Sequence, residues 1–213
     1  MLEGIIEKYN KIKLEIVEKF AGSEDQLYEE TGFLDDGEIE KQVNRLKTEY
    51  SAISSEAAML VSRDMTDDIK KNVLKLIEQK NEKLAVLVFL ASNNIEKVDE
   101  LLNFVDSETF TFKKCLLGLR EYRLENYDCA YKYLTEHFNV EKTFGRHFLL
   151  NKVYGQLLLQ NNDFLAAKDF LRFASAIRPE DVSVHKKLLM VYRKLGNETG
   201  EQVEKEIIEL LEA

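Results

Sequence analysis

The stretch FLLNKVYGQLLLQNNDFLAAKDFLRFASAIRPED, Phe148–Asp181, decides how the chain is read. It holds Gly155, the run Asn162-Asp163-Phe164, then Ala167, Leu171, Ala174 and Pro179. As one unit it is a helix, a polar turn, a second helix and a proline that stops it. A helical hairpin this short cannot bury both apolar faces alone, so its neighbours must be hairpins too.

The preceding chain repeats the spacing. Gly118, Asn126, Tyr127, Ala130 and Leu134 stand to one another as Gly155, Asp163, Phe164, Ala167 and Leu171 do, at a constant offset of 37 residues. A third copy comes 34 residues later, mapping Tyr154 to Leu188, Leu158 to Tyr192 and Asn162 to Gly196. These residue types resemble the tetratricopeptide repeat (TPR) family, whose unit of about 34 residues follows a small-residue and aromatic pattern. Phe148–Asp181 matches at the first-helix glycine, the turn aromatic Phe164, the alanines Ala167 and Ala174, and the closing Pro179. Thr111–Phe144 matches with Gly118, Tyr127 and Ala130, but carries His137 and Lys142 where alanine and proline are usual. The small residues are a packing requirement: Gly118 or Gly155 lets the second helix approach, and Ala130 or Ala167 faces it.

The resemblance implies an all-α fold, a TPR-like α-solenoid of helical hairpin repeats. Its expected units are a degenerate repeat over 79–110, then 111–147, 148–181, and a capping repeat over 182–213. In the last, Glu201 stands where Ala167 stood, and Thr199-Gly200 reads as a weak start to the second helix. Leu84–Ala91 is apolar nearly all round, the signature of a buried helix. Ser92-Asn93-Asn94-Ile95 is a turn, and Val98, Leu101, Leu102 and Val105 form the next stripe.

Residues 1–76 read as a separate amphipathic helical hairpin. Leu2, Ile5, Tyr9, Ile12 and Ile16 place one apolar stripe on a first helix. Ile39, Val43, Leu46, Tyr50, Ile53, Ala57 and Leu60 alternate by four and three, a narrow coiled-coil seam. The two stripes are expected to pair within the chain, or the seam to join two copies as a homodimer. Between them, residues 24–40 hold eight carboxylates, no Lys or Arg, and two glycines, and read as a solvated loop.

Composition sets the exclusions. The net charge is −9, of which residues 1–76 supply −6 from 17 acidic and 11 basic residues. Such acidity argues against nucleic acid as a ligand, because phosphate neutralisation needs clustered Lys and Arg. No apolar run approaches the ~20 residues of a membrane span. Met1-Leu2-Glu3-Gly4-Ile5 lacks the basic segment and apolar core of a signal peptide. Cys115 and Cys129 are too few for a disulfide framework, so the cytoplasm, or the nucleus, is the expected compartment. No calcium-loop spacing, zinc spacing or glycine-rich phosphate loop is present, and no metal or cofactor is expected. His137, His147 and His185 have no serine or cysteine partner at a fixed spacing, and read as surface or packing residues. No residue set supports an enzyme.

What remains is a binding surface. In proteins with this repeat, the first helices of successive hairpins line a concave groove. That geometry implies a groove of Lys83, Leu87 and Leu90; Phe112, Cys115, Leu119, Tyr122 and Arg123; Lys152, Gln156 and Leu159; and Lys186, Met190 and Arg193. Its middle is apolar and aromatic, and its C-terminal part is basic. A peptide or helix of a partner protein, carrying acidic groups, would suit it. The family's clamp for the C-terminal carboxylate of heat-shock chaperones is not reproduced. Lys152 fits a lysine position, but Gln156 replaces the asparagine, and Cys115 and Leu119 hold the equivalent places one repeat earlier. The reading is therefore a non-enzymatic adaptor or scaffold. Its alternatives are an assembly or chaperone subunit acting through the heptad helices, and a non-catalytic segment of a larger enzyme.

Overall fold

The computed structural model describes residues 33–61, 81, 83–104, 112–140 and 147–213, with helix placement but not side chains for 49–61, 101, 104 and 140. Every regular element among them is helical: α1 (Asp36–Val61), α2 (83–90), α3 (Ile95–Phe104), α4 (Lys113–Arg123), α5 (Tyr127–Val140), α6 (Phe148–Gln160), α7 (Phe164–Ile177), α8 (Val182–Lys194) and α9 (Glu198–Glu212). The fold is all-α and is built from helical hairpins. They fall into two compact units divided after Glu141, so the described residues 33–140 and 147–213 are taken separately.

The sequence offsets reappear as backbone geometry. α4, α6 and α8 each end on a residue in the left-handed region: Glu125 at φ 64°, Asn162 at 63° and Gly196 at 65°. Glu125 N–H donates to Tyr122 O and Asn126 N–H to Glu121 O. Asn162 and Asp163 donate in the same way to Leu159 and Leu158, and Gly196 and Asn197 to Arg193 and Tyr192. This pair of bonds is the Schellman closure, which satisfies carbonyls left over at a helix end. Asp163, Asp181 and Asn197 then cap the next helices by accepting from Ala166, Val184 and Gly200 N–H. Glu125 alone among the three left-handed residues is of a type that strongly disfavours that region. Glu125→Gly is expected to stabilise the 33–140 unit by about 0.5–1 kcal/mol in urea unfolding, the relief of strain less the glycine entropy.

Packing follows the small residues. A Cβ on Gly118 would lie 2.6 Å from Leu134 Cγ, and one on Gly155 would lie 2.8 Å from Leu171 Cγ. The α4–α5 and α6–α7 hairpins therefore close through the same contact, and α7 also packs on α8. Ala130, Leu134, Ala167, Leu171 and Ala174 are fully buried. In the last hairpin the glycine has moved to the second helix. A Cβ on Gly200 would stand 2.6 Å from the Tyr192 ring, so Gly200 is a packing requirement of α9, not the weak start expected.

α2 is buried from Leu84 to Leu90, as its all-round apolar character predicts, and only Lys83 at its start is exposed. α1 packs on α3 in the same unit. Leu34 N–H donates to Leu90 O, Asn94 Nδ2 to Asp36 Oδ1, and Lys47 pairs with Glu100. Ile39, Val43 and Leu46 are buried within the chain. Leu2–Ile16, the side chains of Tyr50, Ile53, Ala57 and Leu60, and the 76–77 boundary lie outside the described residues. The acidic stretch 24–40 does not remain a loop to its end: α1 starts at Asp36, capped by Asp35 Oδ1 accepting from Glu38 N–H at 2.9 Å. Asp36 and Glu38 in the first turn suit the positive end of the helix dipole.

Candidate partner-binding surface

The residues expected in the groove divide by what they touch. In the 33–140 unit, Leu87, Leu90, Phe112, Cys115 and Leu119 are buried, and serve packing. The periodicity of an apolar helix does not say which of its faces a neighbour covers, and α4 lays Cys115, Leu116 and Leu119 inward together. Tyr122 is half-buried, stacked on Phe89 with centroids 6.3 Å apart, and meets Tyr127 edge-on at 5.5 Å. The Arg123 guanidinium sits 4.5 Å from the Phe33 ring and 5.1 Å from Phe89. With Phe33 45% and Tyr127 40% exposed, this cluster opens to the surface. Phe33 was hidden from sequence reasoning by the carboxylates around it. Lys83 is exposed on α2.

In the 147–213 unit, Lys152 is not at the surface. It is 5% exposed, with Nζ 3.0 Å from Asp181 Oδ2 and 5.5 Å from the Phe148 ring centroid. Arg178 lies over the same ring at 4.7 Å. Burial alone would push the Asp181 carboxyl up. The Lys152 charge and the Ser183, Lys152 and Val184 donors outweigh it, and hold the carboxyl below the usual range. Sequence reasoning missed this pair because its partners are 29 residues apart and each reads as a solvated charge. Gln156 and Leu159 are half-buried on α6.

Lys186, Met190 and Arg193 form one exposed stripe on α8, stepping by four and three residues over two turns. Met190 is 52% exposed. Lys186 Nζ is 2.6 Å from Glu212 Oε1, and Arg193 Nε is 3.0 Å from Glu201 Oε1, which Lys205 also meets at 2.9 Å. Hydrogen bonds from Lys205 and then Arg193 hold the Glu201 carboxyl below its ordinary value. The stripe is thus an apolar side chain between two cations, Lys186 covered by the exposed Glu212 and Arg193 by the half-buried Glu201, both of α9. A second exposed apolar pair, Leu165 and Phe173, lies on one face of α7, eight residues apart, outside the expected groove.

Among the described residues no group of three His, Cys, Asp or Glu side chains is placed to hold a metal, and no helix is long and apolar enough to cross a membrane. No family model and no curated protein matches the sequence. Among solved structures, the chain is similar to MamA AMB-1 at 18% identity, covering 84% of this chain and 93% of that one with a TM-score of 0.46. It is also similar to MamA MSR-1 at 19% identity, covering 80% and 94% with a TM-score of 0.43. Both likenesses are too distant to place the chain in a family.

Proposed function

We propose that the chain is a non-enzymatic protein-interaction module of TPR type, a scaffold that holds a peptide or helix of a partner protein against the first helices of its hairpins. The observation that carries this reading is the α8 stripe, where Met190 stands exposed between Lys186 and Arg193. The ion pairs covering the two cations are exposed, and such pairs contribute about 0–1 kcal/mol, so a partner's carboxylates can exchange with Glu201 and Glu212 at small cost. Burial of an apolar partner residue on Met190 would supply the affinity, and the cations the orientation. The aromatic cluster around Tyr122 and Arg123 is a second anchor of the same kind. Two free cysteines, one buried and one exposed, fit a reducing compartment, the cytoplasm or the nucleus.

The test separates the two components once affinity capture has supplied a partner. Met190→Ala is expected to weaken binding by more than about 1 kcal/mol, nearly independently of salt. Lys186→Glu with Arg193→Glu is expected to weaken it at low salt and less so near 0.5 M, because exposed charges are screened within about 10 Å already at 0.1 M. Met190 is a cleaner probe than Tyr122, whose ring also packs on Phe89. Undiminished binding by both variants would remove the α8 stripe from the site.

A further inference from the structure

The outward side of α7 is complementary to itself. Its inward side, Ala167, Phe170, Leu171 and Ala174, is buried in the hairpin packing. On the opposite side Leu165, Asp169, Arg172 and Ala176 follow one another by four, three and four residues, with Phe173 at their edge, and all five are exposed. Such spacing lays one straight seam along a helix. Leu165 is 63% exposed and Phe173 45%. Asp169 pairs with the adjacent Lys168 at 3.6 Å, and Arg172 makes no ion pair among the described residues. Asp169 and Arg172 stand equally far on either side of the point between Phe170 and Leu171, and so do Leu165 and Ala176. A second α7 laid antiparallel about that point sets each Asp169 against the other copy's Arg172. Each Leu165 meets an alanine small enough to admit it, and Phe173 comes beside Leu165 and Ala166 of the second copy. A two-fold interface requires this reciprocity, in which each residue meets its counterpart twice. Parallel helices would instead set Asp169 on Asp169 and Arg172 on Arg172.

We propose that this face of α7 is a homodimer contact, occupied by the α7 of a second copy of the chain, antiparallel about a two-fold axis between Phe170 and Leu171. Leu165 and Phe173 supply the apolar burial. The two Asp169–Arg172 pairs fix direction and register, the task for which interfacial charges are best suited. The Lys168–Asp169 contact is between exposed or half-exposed side chains, so Asp169 exchanges it for Arg172 of the second copy at small cost. The seam is about three turns long, at the weak end of protein interfaces, and the expected dissociation constant is on the order of 0.1 mM. The dilute chain is therefore a monomer, and its unfolding does not report the contact. Lys186, Met190 and Arg193 lie outside the seam, so each pair carries two α8 stripes. That last consequence rests on the partner reading; the pairing does not.

Sedimentation equilibrium of the full chain between about 10 µM and about 1 mM tests it, a range that brackets the expected constant. The average mass of the parent should climb from that of one chain toward that of two. Asp169→Arg alone and Arg172→Asp alone should each weaken association at least about tenfold, because like charges then meet twice across the axis. An equimolar mixture of these two variants should associate within about twofold of the parent, since both facing pairs are again of opposite sign. The double variant Asp169→Arg with Arg172→Asp should do the same, and guards against a single reversal that disturbs the helix. A parent that stays monomeric throughout would overturn the pairing. Association that survives both single reversals would assign self-contact to another face, such as the Ile39–Leu46 seam, and would overturn it equally. A mixture no better than its components would rule out the antiparallel register.

Discussion

Lys152→Met is expected to destabilise the 147–213 unit by about 3 kcal/mol, the low end of the cost of removing one member of a buried ion pair. The low end applies because the Asp181 side chain is 21% exposed and keeps its Ser183 and Val184 donors. Methionine matches the length of the lysine stem, so the loss comes from the carboxylate left without its cation and not from a cavity. Adding Asp181→Asn should restore much of the stability, since asparagine still caps α8 but carries no charge. The acid limb checks the same pair. A carboxyl held below its ordinary value stabilises the fold above the unfolded value near 3.9 and loses that contribution as pH falls through its folded one. Parent stability should therefore drop below about pH 4, and the Lys152→Met variant, whose Asp181 is relieved by protonation, should drop less. Urea unfolding at several pH values reads both effects.

Ala167→Leu and Gly155→Ala carry the second large effect. Each adds volume to the closed face between α6 and α7, where Ala167, Leu171 and Ala174 are fully buried. Overpacking of this kind costs roughly 1–3 kcal/mol. For Gly155→Ala the loss arises although alanine is the better helix former by about 1 kcal/mol, because the new Cβ would stand 2.8 Å from Leu171 Cγ. Ala130→Leu is expected to behave likewise in the α4–α5 hairpin. Ala176→Leu, on the exposed side of α7, should stay within about 0.5 kcal/mol of the parent. If Ala167→Leu and Ala176→Leu unfold alike, the small residues are not at the helix contact.

The hairpins were legible because close packing and turn closure leave residue-level marks. A glycine, a polar turn and an alanine at an offset of 37 residues set the α4–α5 and α6–α7 hairpins in register, and a second offset of 34 sets Gly196 against Asn162. The surface was less legible. Leu87, Phe112 and Leu119 lie where the implied groove runs, yet these side chains are buried in the core. One-dimensional periodicity gives a face without saying what lies against it. Lys152 misled for a related reason. It looks like a surface residue until Asp181, in a neighbouring element, is brought near, whereas His185, expected as a surface or packing residue, packs against Glu204. Gly200 was misread because its need comes from Tyr192 on the preceding helix, not from its own. Lys186, Met190 and Arg193 kept their expected exposure because their spacing places them together on one side of a helix whose other side carries Val184, Leu188 and Val191.

The partner-bound footprint tests the central claim most directly. Hydrogen exchange of the chain, with and without a captured partner at saturating concentration, should show added protection along Val182–Lys194, with little change in Phe164–Ile177. Protection centred on the Leu165 and Phe173 face of α7, with α8 unchanged, would contradict the account.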